Sequence, residues 1–305
     1  FKQKTAYEIR NCDWSSDVCS SDLMISGKLL LVALLIMASP VAEAAKLISK
    51  EGRFSYSGYI GGLKIGTASV DVAMDDSKYA VELKMKTGGV IGWFVEWLHR
   101  SSAFGLVQDQ GNFPLSPNAY RNQSVWEEKE RLLEIIFFSG NAKILLANPH
   151  PIDDERREPI PEEKRQNTVD PLTALIGVSR MIEEKGTCKS TFDIFDGRRL
   201  FQLRIEDKGI VKTSKNRFAP FGGDARRCDF AFKQTAGFKR LKEEKPNKGS
   251  FYFRHVNDHS VFMPIKVKAE SNYGDLIIHL RNVESIGPEF IKKITRQFSD
   301  AEKAQ

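Results

Sequence analysis

The sequence predicts a mainly β protein: a strongly curved antiparallel sheet or half-open β-barrel, with one central α-helix at about 170–185 and a short aromatic helix at about 90–98. Three observations carry that expectation. Apolar and polar residues alternate with period two along about a dozen segments. Glycine-containing turns separate several of them, at Gly61-Gly62, Ser139-Gly140-Asn141 and Asp196-Gly197. One long segment carries both a helix start, Asp170-Pro171, and a helix stop, Gly186.

In chain order, Arg53–Ile60 alternates Phe54, Tyr56 and Ile60 with polar neighbours, and Gly61-Gly62 turns into 63–74, which sets Ala68, Val70, Val72 and Met74 on one face. Tyr79, Val81, Leu83 and Met85 then alternate with Glu82, Lys84 and Lys86. This is an antiparallel meander, apolar inward and polar outward. After Gly88-Gly89, the run Val90-Ile-Gly-Trp93-Phe94-Val-Glu-Trp97-Leu98 places its aromatic residues along one side of a short helix, as core or lid, or as an exposed membrane or ligand contact. Further strands are expected at 101–107, 118–122, 130–138 and 142–147. The proline-rich, charged stretch 148–168 is a solvated loop. The helix beginning at Asp170 buries Leu172, Leu175, Ile176, Ser179 and Ile182. Strands follow at 191–195, 199–207, 225–234, 250–256, 263–270 and 275–283. Beyond Ile286 the tail is polar with one short helical stretch. A sheet of so many strands must curl or close to protect its edges, and helix 170–185 is expected against its concave side.

The N-terminal region has a different character. Met24 to Ala44 combines Lys28, the apolar run 29–37, Pro40 and the small-residue motif Ala42-Glu43-Ala44, the order of parts in a secretory signal, with cleavage expected between Ala44 and Ala45. Residues 1–23 resemble a translated sequencing adapter and are set aside. The expected organisation is therefore 1–23 outside the fold, 24–44 signal peptide, 45–283 one exported β domain and 284–305 a polar tail. The location it implies is the periplasm. The whole sequence carries +6 at pH 7; omitting residues 1–44 removes four basic and five acidic residues and leaves +7. This excess is dispersed, as on a solvated surface, with at most weak attraction to an anionic membrane face. Export argues against a nucleic-acid partner.

Two cysteines remain after residue 23, Cys188 and Cys228. In an oxidising compartment the expectation is a disulfide, against two separate buried thiols. Closing a loop of about 40 residues is worth roughly 4 kcal/mol in the chain-entropy treatment.

Signals for chemistry are few. His255 and His259, with Asp258, have a spacing that brings two imidazoles together on a helix, but here they flank a β-turn, so no metal site is assigned. Lys86-Thr87-Gly88 lacks the partner motifs of penicillin-recognising serine enzymes. His99, His150 and His279 have no catalytic context, and no phosphate- or dinucleotide-binding fingerprint occurs. No catalytic residue and no cofactor are assigned.

Asn167-Thr-Val-Asp170-Pro171-Leu172, Cys188 and Phe195-Asp196-Gly197-Arg198-Arg199 together resemble the exported bacterial domain-of-unknown-function 3108 family, in its alphaproteobacterial form. The hairpin 56–66, Cys228, Ala236-Gly237-Phe238 and Met263-Pro264-Ile265 are similar too, so the resemblance spans roughly 50–283. It implies a half-barrel of the lipoprotein-carrier type and no assigned reaction. Fold analogy does not fix function. The expected role is a non-catalytic periplasmic module that binds an apolar or amphipathic ligand such as a lipid, or an envelope protein, in its concave face. The alternative is an enzyme acting on cell wall or polysaccharide through convergent carboxylates among Asp170, Asp196 and Asp258, for which two must stand about 5–10 Å apart.

Overall fold

Period-two alternation gives each strand one apolar and one polar face, and thirteen such strands pair into one antiparallel sheet. The computed structural model describes residues 50–303, apart from 90–91, 93–94, 109–112, 154–156, 238–247, 257–260, 272–273 and 288. The first seven strands are β1 (Lys50–Ile60), β2 (Leu63–Met74), β3 (Lys78–Thr87), β4 (Trp97–Val107), β5 (Leu115–Trp126), β6 (Lys129–Phe138) and β7 (Asn141–Asn148). Helix α1 (Pro171–Lys185) follows. Then come β8 (Ser190–Phe195), β9 (Leu200–Thr213), β10 (Gly223–Ala236), β11 (Lys248–Arg254), β12 (Met263–Ala269), β13 (Leu276–Glu284) and α2 (Phe290–Lys303). Every segment expected to be a strand is one.

The strand order is β7-β6-β5-β4-β3-β2-β1-β13-β12-β11-β10-β9-β8, two meanders joined where β1 pairs with β13. The expected half-open barrel is nearly closed. Its edge strands, β7 and β8, are bridged by the segment leading into α1. Asn167 N–H donates to Gly140 C=O (2.6 Å), Val169 N–H to Asp193 C=O (3.0 Å), and Phe195 N–H to Val169 C=O (2.9 Å). The β8–β9 turn completes the seam. Gly197 has φ +88° and packs so closely on β6 that a Cβ there would lie 2.1 Å from Leu133 Cδ2. Only glycine accepts both that backbone and that contact.

The seam segment delivers α1 to the concave face. Asp170 caps the helix, Pro171 occupies its first turn, and Gly186 ends it in the left-handed region with its N–H on Ile182 C=O. Nine of its fifteen residues are buried, Thr173, Ala174, Gly177, Val178 and Met181 as well as four of the expected five; Leu175 is half-buried. Burial on all sides shows that α1 is a plug inside the sheet rather than a helix on its surface. It joins the clusters around Phe54, Val72, Tyr79, Val81 and Ile135 on one side and Ile205, Phe230 and Phe253 on the other.

Two expectations change. Trp97 and Leu98 belong to β4, not to an aromatic helix over 90–98: the alternation of β4 begins there, and Trp97 pairs directly with Trp126 of β5. Backbone pairing of β4 with β3 and β5 outweighs the helical spacing. Val90, Ile91, Trp93 and Phe94 lie outside the described residues. Beyond Ile286, the composition is polar but α2 is amphipathic. Phe290 and Ile294 bury against Ala73 and Ala80, and Phe298 meets Phe104 (5.1 Å). Because Ala73 and Ala80 alternate with the core-facing Val72, Tyr79 and Val81, α2 lies on the face opposite α1.

Candidate functional site

Cys188 and Cys228 are joined, with Cα atoms 6.2 Å apart and both side chains fully buried. Cys188 lies just past the end of α1 and Cys228 lies within β10, so the bond ties the helix exit to the sheet. Asp207 braces the same place, accepting from Cys188 N–H (2.9 Å) and from Arg226 (2.8 Å). This is a structural staple.

Two of the three carboxylates considered for catalysis, Asp196 and Asp170, serve the fold. Asp196 accepts from the N–H groups of Arg198 (3.0 Å) and Arg199 (2.7 Å) and from Arg199 Nε (2.7 Å), which shapes the β8–β9 turn. Asp170 is fully buried and accepts from the N–H groups of Leu172 and Thr173 (2.9 Å each) and from the Thr173 hydroxyl, which stands 2.6 Å from Tyr79 Oη. Asp258, His259 and the Ala44–Ala45 cleavage position lie outside the described residues. His255 stacks edge-on to Phe262 and stands 3.4 Å from Glu183. Among the described residues no three His, Cys, Asp or Glu converge as metal ligands. His99 bonds Ser101 (3.0 Å), and burial lowers its pKa to about 4.

Burial raises the Asp170 pKa to about 6, against the opposing pull of its cap hydrogen bonds. A carboxyl raised in the folded state binds its proton more tightly there than in the unfolded chain. Its contribution is therefore full below the ordinary carboxylate pKa and is lost as pH rises towards 6. Asp170→Asn keeps an N-cap acceptor without the charge. The expected result is a gain over wild type that grows between about pH 4 and 6 and levels at on the order of 1–3 kcal/mol, read from urea unfolding at each pH. A constant difference across that range would contradict it.

The concave face, where a ligand was expected, is filled along α1. A cavity of about 910 Å³ lies instead across the strands of the first meander. Cross-strand register defines it as two neighbouring rows. One row is Ser55, Ser69, Lys84, Arg100, Gln123, Leu132 and Asn148, from β1 to β7. The other is Ser57, Thr67, Lys86, Leu98, Val125 and Glu130. Both alternate with the core-facing residues, so the groove is on the α2 side of the sheet. The backbone of the intervening row, including Ala68, Met85 and His99, borders the groove between them while its side chains turn to the core side, and Arg281 of β13 stands at one end. At about 4.8 Å per strand the groove spans roughly 29 Å from β1 to β7.

Its chemistry changes along its length. Small hydroxyl side chains (Ser55, Ser57, Thr67, Ser69) line the β1–β2 end, and Lys84, Lys86 and Arg100 form a cationic middle. Leu98, Val125 and Leu132 provide an apolar stretch over β4–β6. Sequence alternation identified Lys84 and Lys86 as outward-facing. It could not place them in one row with Ser69 or with Leu98 and Val125, because that requires the register of β2 to β5.

A family model described as "Protein of unknown function (DUF3108)" matches residues 55–281. No curated protein matches the chain. Among solved structures, the chain is similar to a β-barrel-like protein of domain of unknown function DUF1849 from Brucella abortus. That match has 10% identity, covers 78% of this chain and 98% of the other, and has a TM-score of 0.44.

Proposed function

Because the chain belongs to the DUF3108 family of proteins of unknown function, we propose a role from the groove itself: an exported, non-catalytic module that binds an anionic amphipathic molecule across strands β1–β7. The observation that carries this reading is the adjacency, within one groove, of the cations Lys84, Lys86 and Arg100 to the apolar Leu98, Val125 and Leu132. A charged headgroup and an acyl chain need that combination, apolar walls with a few placed polar groups. Export is supported by the apolar run 29–37 followed by Ala42-Glu43-Ala44, and by a disulfide of the kind that persists in oxidising compartments.

Lysophosphatidylglycerol and lysophosphatidylcholine of equal chain length, titrated below their micelle concentrations, test the reading by calorimetry and amide chemical shifts. The anionic lipid is expected to bind with a Kd of about 1–10 μM, at least about ten-fold more tightly than the zwitterionic one. The shift changes are expected to centre on Lys86, Leu98 and Val125. Absence of binding, or changes centred on the β8–β12 half, would reject it.

A further inference from the structure

We propose a second small-molecule site, separate from the groove, that takes an apolar molecule with a hydroxyl head and holds that head at Glu134. A further cavity of about 480 Å³ lies on the α2 side of β4–β6, beside Phe298 of α2. Cross-strand register sets Phe104, Ala119 and Ile136 side by side on this face, with Ser102, Arg121 and Glu134 in the next row. Phe104, Ile136, Phe138 and Phe298 give the cavity apolar walls. Phe298 packs on Phe104 with ring centroids 5.1 Å apart, and Phe138, 79% exposed, stands at the rim. The volume is within the range of small-molecule sites. No lining residue is shared with the groove.

Glu134 lines this cavity and is 1% exposed. Its two carboxylate oxygens have different surroundings. Oε1 accepts from Arg121. Oε2 is buried and has no hydrogen-bond partner among the described residues. Arg121 is held away from it: Nη2 also donates to Gln297 C=O (3.1 Å), and the guanidinium lies 5.2 Å from the Phe298 ring centroid. Two hydroxyls of the lining are engaged elsewhere, Thr168 on Arg165 C=O (2.8 Å) and Ser299 on Thr295 C=O (3.3 Å). A buried acceptor without a donor costs free energy that an incoming donor recovers. Arg121 already sets a positive charge against Glu134, so what Oε2 lacks is a donor. A hydroxyl supplies one without bringing a further charge into an apolar cavity. A carboxylate head would instead set acid against acid.

1-Octanol and its isomer heptyl methyl ether have bodies of the same size, and only the alcohol donates. Titrated into the protein and followed by amide chemical shifts, 1-octanol is expected to bind with a Kd on the order of 0.1–1 mM. It should bind at least about five-fold more tightly than the ether and about ten-fold more tightly than octanoate. The shift changes are expected to centre on Ile136, Phe138 and Phe298. Glu134→Gln keeps an acceptor for Arg121 but puts an amide donor where Oε2 stood, and is expected to bring the alcohol-to-ether affinity ratio to about one. If Glu134→Gln does not fold, Phe138→Ala at the exposed rim decides: it is expected to weaken alcohol and ether alike, by about three-fold. No binding of the alcohol, equal wild-type affinities for alcohol and ether, a ratio unmoved by Glu134→Gln, or tighter binding of octanoate overturns the inference. So does an unchanged affinity in Phe138→Ala, or shift changes centred on Lys86, Leu98 and Val125. Each of these results leaves the groove reading standing, because lysophosphatidylglycerol tests that site separately.

Discussion

Replacing Cys188 and Cys228 together by alanine is expected to lower the unfolding free energy by about 4 kcal/mol. The loop closed by the bond holds β8, β9 and the first part of β10, with a sequence separation of 40. Opening it returns the configurational freedom of that loop to the unfolded chain. Two sulfur atoms are also removed from the cluster of Val178, Ile182, Phe230 and Phe253, which adds packing loss to the entropic cost. Urea unfolding under non-reducing conditions measures the difference, and wild type with a reductant should approach the variant. A loss below about 1 kcal/mol would show that the bond adds little to what β9–β10 pairing and the Asp207–Arg226 brace already enforce.

Ile176→Ala is expected to cost about 4 kcal/mol, near the upper part of the range for large-to-small core changes. Ile176 is fully buried and sits on α1 in the cluster that includes Phe54, Val72 and Val81. Because α1 is enclosed by the sheet and tethered at both ends, by the seam and by Cys188, it has little room to settle into the space left behind. Most of the cavity term should therefore persist. Leu175→Ala, at a half-buried position, is expected to cost about half as much. Equal costs would mean that the interior relaxes around α1. The change lies on the opposite face of the sheet from the groove, so lysophosphatidylglycerol binding by the folded Ile176→Ala variant should match wild type.

The strands were legible because a half-buried strand writes its orientation into every second residue. Helix α1 was legible because Asp170-Pro171 and Gly186 act within one turn of themselves. The same local reasoning failed at Trp97, where a partner on another strand, Trp126, decides between helical and extended backbone. It also undervalued α2, whose polar composition conceals four apolar residues on one stripe.

The groove was not legible at all. Its lining comes from strands as distant as β1 and β7, and which lysine stands beside which serine or leucine depends on register. Glu82 shows the difference most clearly. In sequence it is one of three alternating charges on a solvent-facing strand, with Lys84 and Lys86. In the fold it is buried between Lys84 and Arg100, while Lys86 is exposed.

By itself the sequence determined the alternation that makes the sheet, the one capped helix, and the two cysteines available for pairing. Each depends on neighbours a few residues away or on composition. Only the tertiary structure decided the near-closure of the barrel through Gly197 and Leu133, the filling of the concave face by α1, and the groove on the opposite face. Those depend on contacts between residues far apart in the chain, whose energies exist only once register and curvature have been set.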